Sequence, residues 1–225
     1  MRDVRDARDV EEESSMAVIH RTTMVPTKME LLTSWLPGRA WCRGEKPADL
    51  HKAGGFRLDD PDGEVGIEFV VITDHSGAQP HTYHVPLTYR GAPLPDAAEA
   101  LVGISEHGVL GTRWVYDATR DPVAVAQIVS ALIGNARPQA QSESDTPDPS
   151  VTVHVADTLS LAGGFGPARD GLFYTDIPVG DRILRIHRLL QVPVSPVESA
   201  VAGRVDAWWR LDDTIATGVF ISLTA

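Results

Sequence analysis

An α+β fold built mainly on antiparallel β-sheet, with only a few helices, is what this sequence predicts. Three observations carry that expectation. Apolar residues alternate at Val65, Ile67, Phe69 and Val71 and again at Tyr83, Val85, Leu87 and Tyr89, the period of half-buried strands. Beyond residue 150, apolar and β-branched runs are separated by glycine turns. Helical signals, by contrast, occur in only three short segments.

Taken in order, residues 1–15 repeat Arg-Asp pairs and then run into three glutamates and two serines. So charged a stretch has little to bury, and a disordered acidic/basic arm is expected, with Met16 as a natural start. An intact-mass measurement checks this; a dominant native species beginning at Met1 would count against it. From Thr27 to Leu36, Met29, Leu32, Trp35 and Leu36 share one helical face, and Pro37-Gly38 stops the helix. The Asp59-Asp60-Pro61-Asp62-Gly63 turn precedes the first alternating strand, and His75-Ser76-Gly77 marks a hairpin to the second. Trp114 to Asp117 reads as a further strand. Asp121 then offers an N-cap ahead of Pro122 at the first helical position. Val125, Ile128, Val129, Leu132 and Ile133 form an apolar stripe, and Gly134 stands at the C-terminal cap.

Residues 136–150 carry three prolines and almost no apolar side chains, the composition of a linker. The expected organisation is therefore an arm at 1–15, a first domain at 16–135, a linker at 136–150 and a β-rich module at 151–225. In that module the runs Val151 to Leu161, Gly171 to Ile177 and Arg182 to Leu190 read as strands. Pro196 to Arg204 reads as a helix, and Val205 to Leu211 with Thr214 to Leu223 as a hairpin turning at Asp212-Asp213.

Composition excludes several function classes. The 225 residues hold 20 Lys plus Arg against 31 Asp plus Glu, a formal net charge of −11, and the only lysines are Lys28, Lys46 and Lys52. Such a chain repels a phosphate backbone, so nucleic acid is not an expected partner. No apolar run approaches the roughly 20 residues of a membrane span, and no secretory h-region opens the sequence. A cytoplasmic, membrane-free protein is the expectation. Cys42 stands alone, which excludes an internal disulfide and a cysteine-based zinc site.

Side-chain groupings that could carry chemistry have plainer explanations. His75, His81 and His84 lie close in sequence, but His81 and His84 fall on opposite faces of a strand. They are expected to be solvent-facing, with no metal held. The acidic turn at Asp59, Asp60, Asp62 and Glu64 lacks the spacing of a calcium loop. Ser105-Glu106-His107 are sequence neighbours, a spacing that defines no triad. The tryptophans Trp35, Trp41, Trp114, Trp208 and Trp209 could stack on sugar rings but serve equally as core residues. Cys42, beside Arg43, is either a packed or a reactive thiol.

One arrangement stands out by position. Gly163-Gly164-Phe165-Gly166 joins the first two strands of the second half, Arg185 lies on the third, and the following helix offers Glu198. A glycine loop, a strand cation and a helix carboxylate in that order resemble the N-lobe of a kinase. Candidate cofactor-binding residues are thus Gly164, Gly166, Arg185 and Glu198, with no catalytic and no metal-ligating residue.

The first half carries a second resemblance. Trp35-Leu36-Pro37-Gly38-Arg39-Ala40-Trp41, the strand from Val65 to Thr73, Tyr83-His84-Val85-Pro86-Leu87 and the Asp121-Pro122 helix resemble the N-terminal cap of actinobacterial maltokinases. Gly180 to Leu190, through Arg182, Arg185 and Arg188, resembles that family's third kinase strand and the arginines after it. The chain is similar above all to stand-alone cap proteins, some of them carried as 1,4-α-glucan branching protein. The resemblance implies a cystatin-like cap followed by a five-stranded kinase N-lobe-like module, in a family that phosphorylates maltose with ATP and Mg²⁺.

Two departures matter. The strand lysine of the family is here Arg185, whose planar fork does not replace an ammonium against phosphates. The chain also ends where an N-lobe hands over to the hinge, so the catalytic and Mg²⁺-binding residues of a C-lobe are expected to be absent. The expectation is a non-catalytic binding or regulatory module in maltose, α-glucan or trehalose metabolism, without cofactor. It would engage a protein partner or a second copy through the β-rich module, or a small sugar or nucleotide. The alternatives are an ATP-dependent sugar kinase completed in trans and an α-glucan-active enzyme.

Overall fold

The structure is a computed structural model that describes residues 23–143, 145–155, 164–191 and 201–224. The arm at 1–15, the residue Gly163 and the candidate carboxylate Glu198 lie outside the described residues.

The first half opens with β1 (Met24–Val25) and α1 (Lys28–Trp35). Thr27 caps α1 in a reciprocal box with Glu30, which explains why the helix starts there, and Pro37 lies in the tight turn that ends it. Five strands follow: β2 (Leu50–Leu58), β3 (Gly66–Asp74), β4 (His81–Arg90), β5 (Leu101–His107) and β6 (Gly111–Asp117). Asp121 then caps α2 (Pro122–Leu132), with Pro122 in its first turn and Gly134 beyond its end at φ 82°. Both helices expected in this half are present.

The second half supplies β7 (Val151–Val155), β8 (Arg169–Asp170), β9 (Tyr174–Val179), β10 (Arg182–His187), β11 (Leu189–Leu190), β12 (Val201–Leu211) and β13 (Thr214–Thr224). Two antiparallel sheets result. One has the order β1-β5-β6-β4-β3-β2, with β11 also paired to β4; the other has the order β7-β12-β13-β10-β9-β8. Mainly antiparallel sheet with few helices is therefore the observed class. Among the described residues the second sheet has six strands rather than the five expected, because the two-residue β8 adds to it.

Several local expectations are corrected. β2 and β5 were not legible because bulges between Lys52 and Gly54 and between Leu101 and Gly103 interrupt the period-two pattern. The helix expected from Pro196 to Arg204 fails at its C-terminal end: Val201 to Arg204 belong to β12 and pair with β13, while the residues before them lie outside the described ones. The run Arg182 to Leu190 is not one strand of one sheet. β10 pairs with β9 and β13, and then the chain crosses at Arg188 so that β11 pairs with Tyr83 and Thr82 of β4. The crossing completes the first sheet, because β6 reaches only Leu87 to Arg90 of β4. His84 N–H donates to the Arg188 carbonyl at 2.9 Å in the remaining gap.

The sheets pack face to face. Phe56, Phe69, Ile128, Leu184, Trp209 and Phe220 belong to one apolar cluster that draws on both sheets and on α2. Phe56 stacks on Phe69 with centroids 4.4 Å apart. A second cluster, with Leu32, Trp35, Trp41, Val70, Ile72 and Tyr83, lies on the other face of the first sheet against α1. The proline-rich stretch at 136–150 runs beside β2: Arg57 and Gln139 exchange backbone hydrogen bonds at 2.9 and 2.8 Å, and Arg57 Nε donates to the Ala140 carbonyl at 3.0 Å. Pairing of this kind protects a sheet edge.

Candidate functional site

The glycine loop is held by backbone geometry. Gly166 N–H donates to the Pro178 carbonyl at 2.8 Å, Gly180 N–H to the Gly164 carbonyl at 3.4 Å, and Phe165 pairs with Val179. A Cβ on Gly166 would stand 2.9 Å from two carbons of the Pro178 ring, whereas nothing lies within 4 Å of one at Gly164. Glycine at 166 is thus required by close packing on a strand. The loop walls a cavity of about 470 Å³ that it shares with the first half of the chain. Phe165, Gly166 and Ile177 line it from one side, and Asp96, Glu99 and Arg120 from the other.

Arg185 does not reach this cavity. Along β9, Thr175, Ile177 and Val179 are buried toward the core, while Tyr174, Asp176 and Pro178 face the other way. Arg185 lies directly across from Asp176 on that outer face. Its Nε and Nη2 donate to the two Asp176 carboxylate oxygens at 2.7 and 2.8 Å, and its guanidinium stands 3.7 Å over the Tyr174 ring. The hydrogen bonds it donates to Asp176 hold its pKa above the ordinary arginine value. The ion-pair partner expected at Glu198 is therefore supplied, within the described residues, by Asp176. Arg185 thus lies on the face of the β9–β10 pair opposite to Ile177, which lines the cavity.

The residue that sequence reasoning missed is Arg188. It is fully buried and paired with Asp117, itself 1% exposed. Nη2 donates to both carboxylate oxygens of Asp117 at 2.7 and 2.6 Å and to Thr119 Oγ1 at 3.0 Å, while Nε donates to Thr175 Oγ1 at 2.8 Å. The guanidinium lies 4.9 Å over the Trp41 ring. Burial opposes charge on Asp117, but the Arg188 charge and the hydrogen bonds from Arg188 and Thr119 outweigh it, so its carboxyl titrates below the ordinary range. A signal existed: an arginine set within the apolar run Ile186 to Leu190 cannot follow its neighbours into a core without an acid to meet.

Other groupings resolve as structure. His84 is fully buried, which corrects the expectation of a solvent-facing histidine. Its Nδ1 lies 3.1 Å from the His187 carbonyl, and its ring packs against Phe69 and Phe220. Burial, reinforced by the Arg188 charge, pushes its pKa down to about 3; burial and Arg185 push His187 down to about 4. Asp60 accepts backbone N–H groups of Asp62, Glu64 and Val65, which makes the acidic stretch a turn. Ser105 donates to the Pro26 carbonyl, while His107 Nδ1 accepts from Val109 and Leu110, so the two serve separate turns. Trp35, Trp41 and Trp209 are buried, and Trp208 is exposed. Cys42 packs half-buried beside the α1 cluster. Among the described residues no three metal-ligating side chains converge, and no helix is long and apolar enough to cross a membrane.

Two bulged antiparallel sheets sharing a core, with a glycine loop at their junction, define an α+β protein. Residues 35–121, from the end of α1 through β6 to the N-cap of α2, match the family model of the maltokinase N-terminal cap domain. The chain carries a maltokinase N-terminal cap domain. A search of curated protein sequences finds no match.

Proposed function

We propose that the chain is a non-catalytic binding or regulatory module of maltose, α-glucan or trehalose metabolism, acting through a protein partner or a small ligand. The cap domain supports the metabolic setting. The observation that carries the non-catalytic reading is the engagement of Arg185. A phosphotransferase needs its strand cation at the nucleotide phosphates. Here the corresponding side chain is neutralised by Asp176 and stacked on Tyr174, on the face away from the cavity that Gly166 lines.

The test is a phosphoryl-transfer assay of the purified chain with Mg·ATP and maltose, paired with calorimetry of nucleotide binding. Neither turnover nor heat of binding is expected. Turnover by the chain alone overturns the reading. Turnover that appears only with an added kinase C-lobe would replace it with a sugar kinase completed in trans.

A further inference from the structure

A second cavity, of about 440 Å³, opens where the chain crosses between the sheets. Arg43, His81, Phe173, Leu189, Gln191 and Trp209 are among its lining residues, and among the described residues no aspartate or glutamate lines it. Arg43 is pre-set. Its backbone N–H donates to Tyr83 Oη at 2.8 Å, its Nη2 donates to the Leu172 carbonyl at 3.2 Å, and its guanidinium lies 5.3 Å over the Phe173 ring. Among the described residues it has no carboxylate partner. Trp209, 1% exposed, gives the cavity an apolar wall together with Leu189. Phe173 is 45% exposed and presents an apolar ring at the rim.

A guanidinium without a carboxylate partner, beside aromatic and aliphatic walls, suits a ligand that brings an anion on a compact ring. An arginine held in place by stacking loses little freedom when it binds an oxyanion. We infer that this seam cavity is a binding site for a sugar monophosphate. The phosphate meets Arg43, and the ring lies between Phe173 and the wall formed by Leu189 and Trp209. The anion half of this assignment rests on the lining alone; the sugar half rests on the metabolic role proposed above.

Calorimetry of the full chain with glucose 1-phosphate, maltose and inorganic phosphate tests it. Glucose 1-phosphate is expected to bind, more weakly as salt rises, and Arg43→Gln to lower its affinity at least about tenfold. Phe173→Ala should weaken glucose 1-phosphate while leaving the weaker binding of inorganic phosphate unchanged. Both side chains are exposed, so unchanged melting temperatures confirm that the variants fold. No binding of glucose 1-phosphate, or equal binding by Arg43→Gln, overturns the site. Inorganic phosphate binding as tightly as the sugar phosphate overturns the sugar half, and maltose binding as tightly overturns the anion half. These outcomes leave the non-catalytic role standing, because that role is decided by phosphoryl transfer.

Discussion

Arg188 and Asp117, 71 positions apart in sequence, meet in the core with Nη2 at 2.7 and 2.6 Å from the two carboxylate oxygens. Arg188 stands at the step between β10 in one sheet and β11 in the other, and Asp117 ends β6 of the first sheet. The pair therefore fastens the crossing strand to the cap domain. Buried ion pairs contribute little compared with a well-packed apolar pair, but losing one partner strands the other charge away from water.

Arg188→Met should accordingly destabilise the chain by about 3–5 kcal/mol, and Asp117→Leu by a similar amount. The double variant should recover a large part of the loss. Urea unfolding of the four proteins measures the coupling; single-variant losses that simply add would show that the two side chains act independently.

Acid sensitivity should begin well above the carboxylate range. His84 and His187 have folded pKa values depressed to about 3 and about 4, against an ordinary value of 6.5. As pH falls below about 6.5 the unfolded chain takes up protons that the folded chain refuses, so stability declines from there toward pH 3. Asp117 adds a separate loss at lower pH. Its folded pKa is depressed, so its stabilisation holds above the unfolded carboxylate value of about 3.9 and disappears as pH falls through the folded one. His84→Phe keeps a ring between Phe69 and Phe220 and should flatten the decline between pH 6.5 and 4, leaving the His187 share. Thermal melts across that range check it, and an unchanged slope would refute the assignment to His84.

Asp121 holds two partners at once. Its Oδ1 accepts from Val123 N–H as the α2 cap, and both its oxygens accept from Arg90 at 2.6 and 2.7 Å. Asp121→Ala should cost about 1–2 kcal/mol for the cap alone and more for the stranded guanidinium. Asp121→Asn retains a capping oxygen, so denaturant midpoints of the two variants separate the contributions.

Gly166 and Gly164 offer a control pair. Gly166→Ala drives a methyl against the rigid Pro178 ring and should cost about 1–3 kcal/mol, whereas Gly164→Ala should be near neutral. Equal and negligible effects on melting temperature would show that packing on β9 is not what requires glycine at 166.

Where side chains repeat with one period and the caps are local, the elements were legible: α1 from Thr27 and Glu30, α2 from Asp121, Pro122 and Gly134, and the β3–β4 hairpin from alternation. β2 and β5 were not, because a bulge shifts the alternation by one residue and erases the pattern a strand is recognised by. Of the candidate site, the glycine loop lies beside a cavity, but Arg185 faces away from it. Sequence order places a cation on the third strand, yet its face depends on a register of one residue across β9.

By itself, then, the sequence determined an acidic, mainly antiparallel β-protein, because composition, periodicity and capping are local properties of the chain. Only the tertiary structure decided that the strand from Arg182 to Leu190 serves two sheets, that Arg188 meets Asp117, and that Arg43 stands over Phe173 beside a cavity. The last two relations join residues 71 and 130 positions apart, and no local periodicity encodes them. They follow from burial, which forces each polar group carried into the core or the seam to find a partner there.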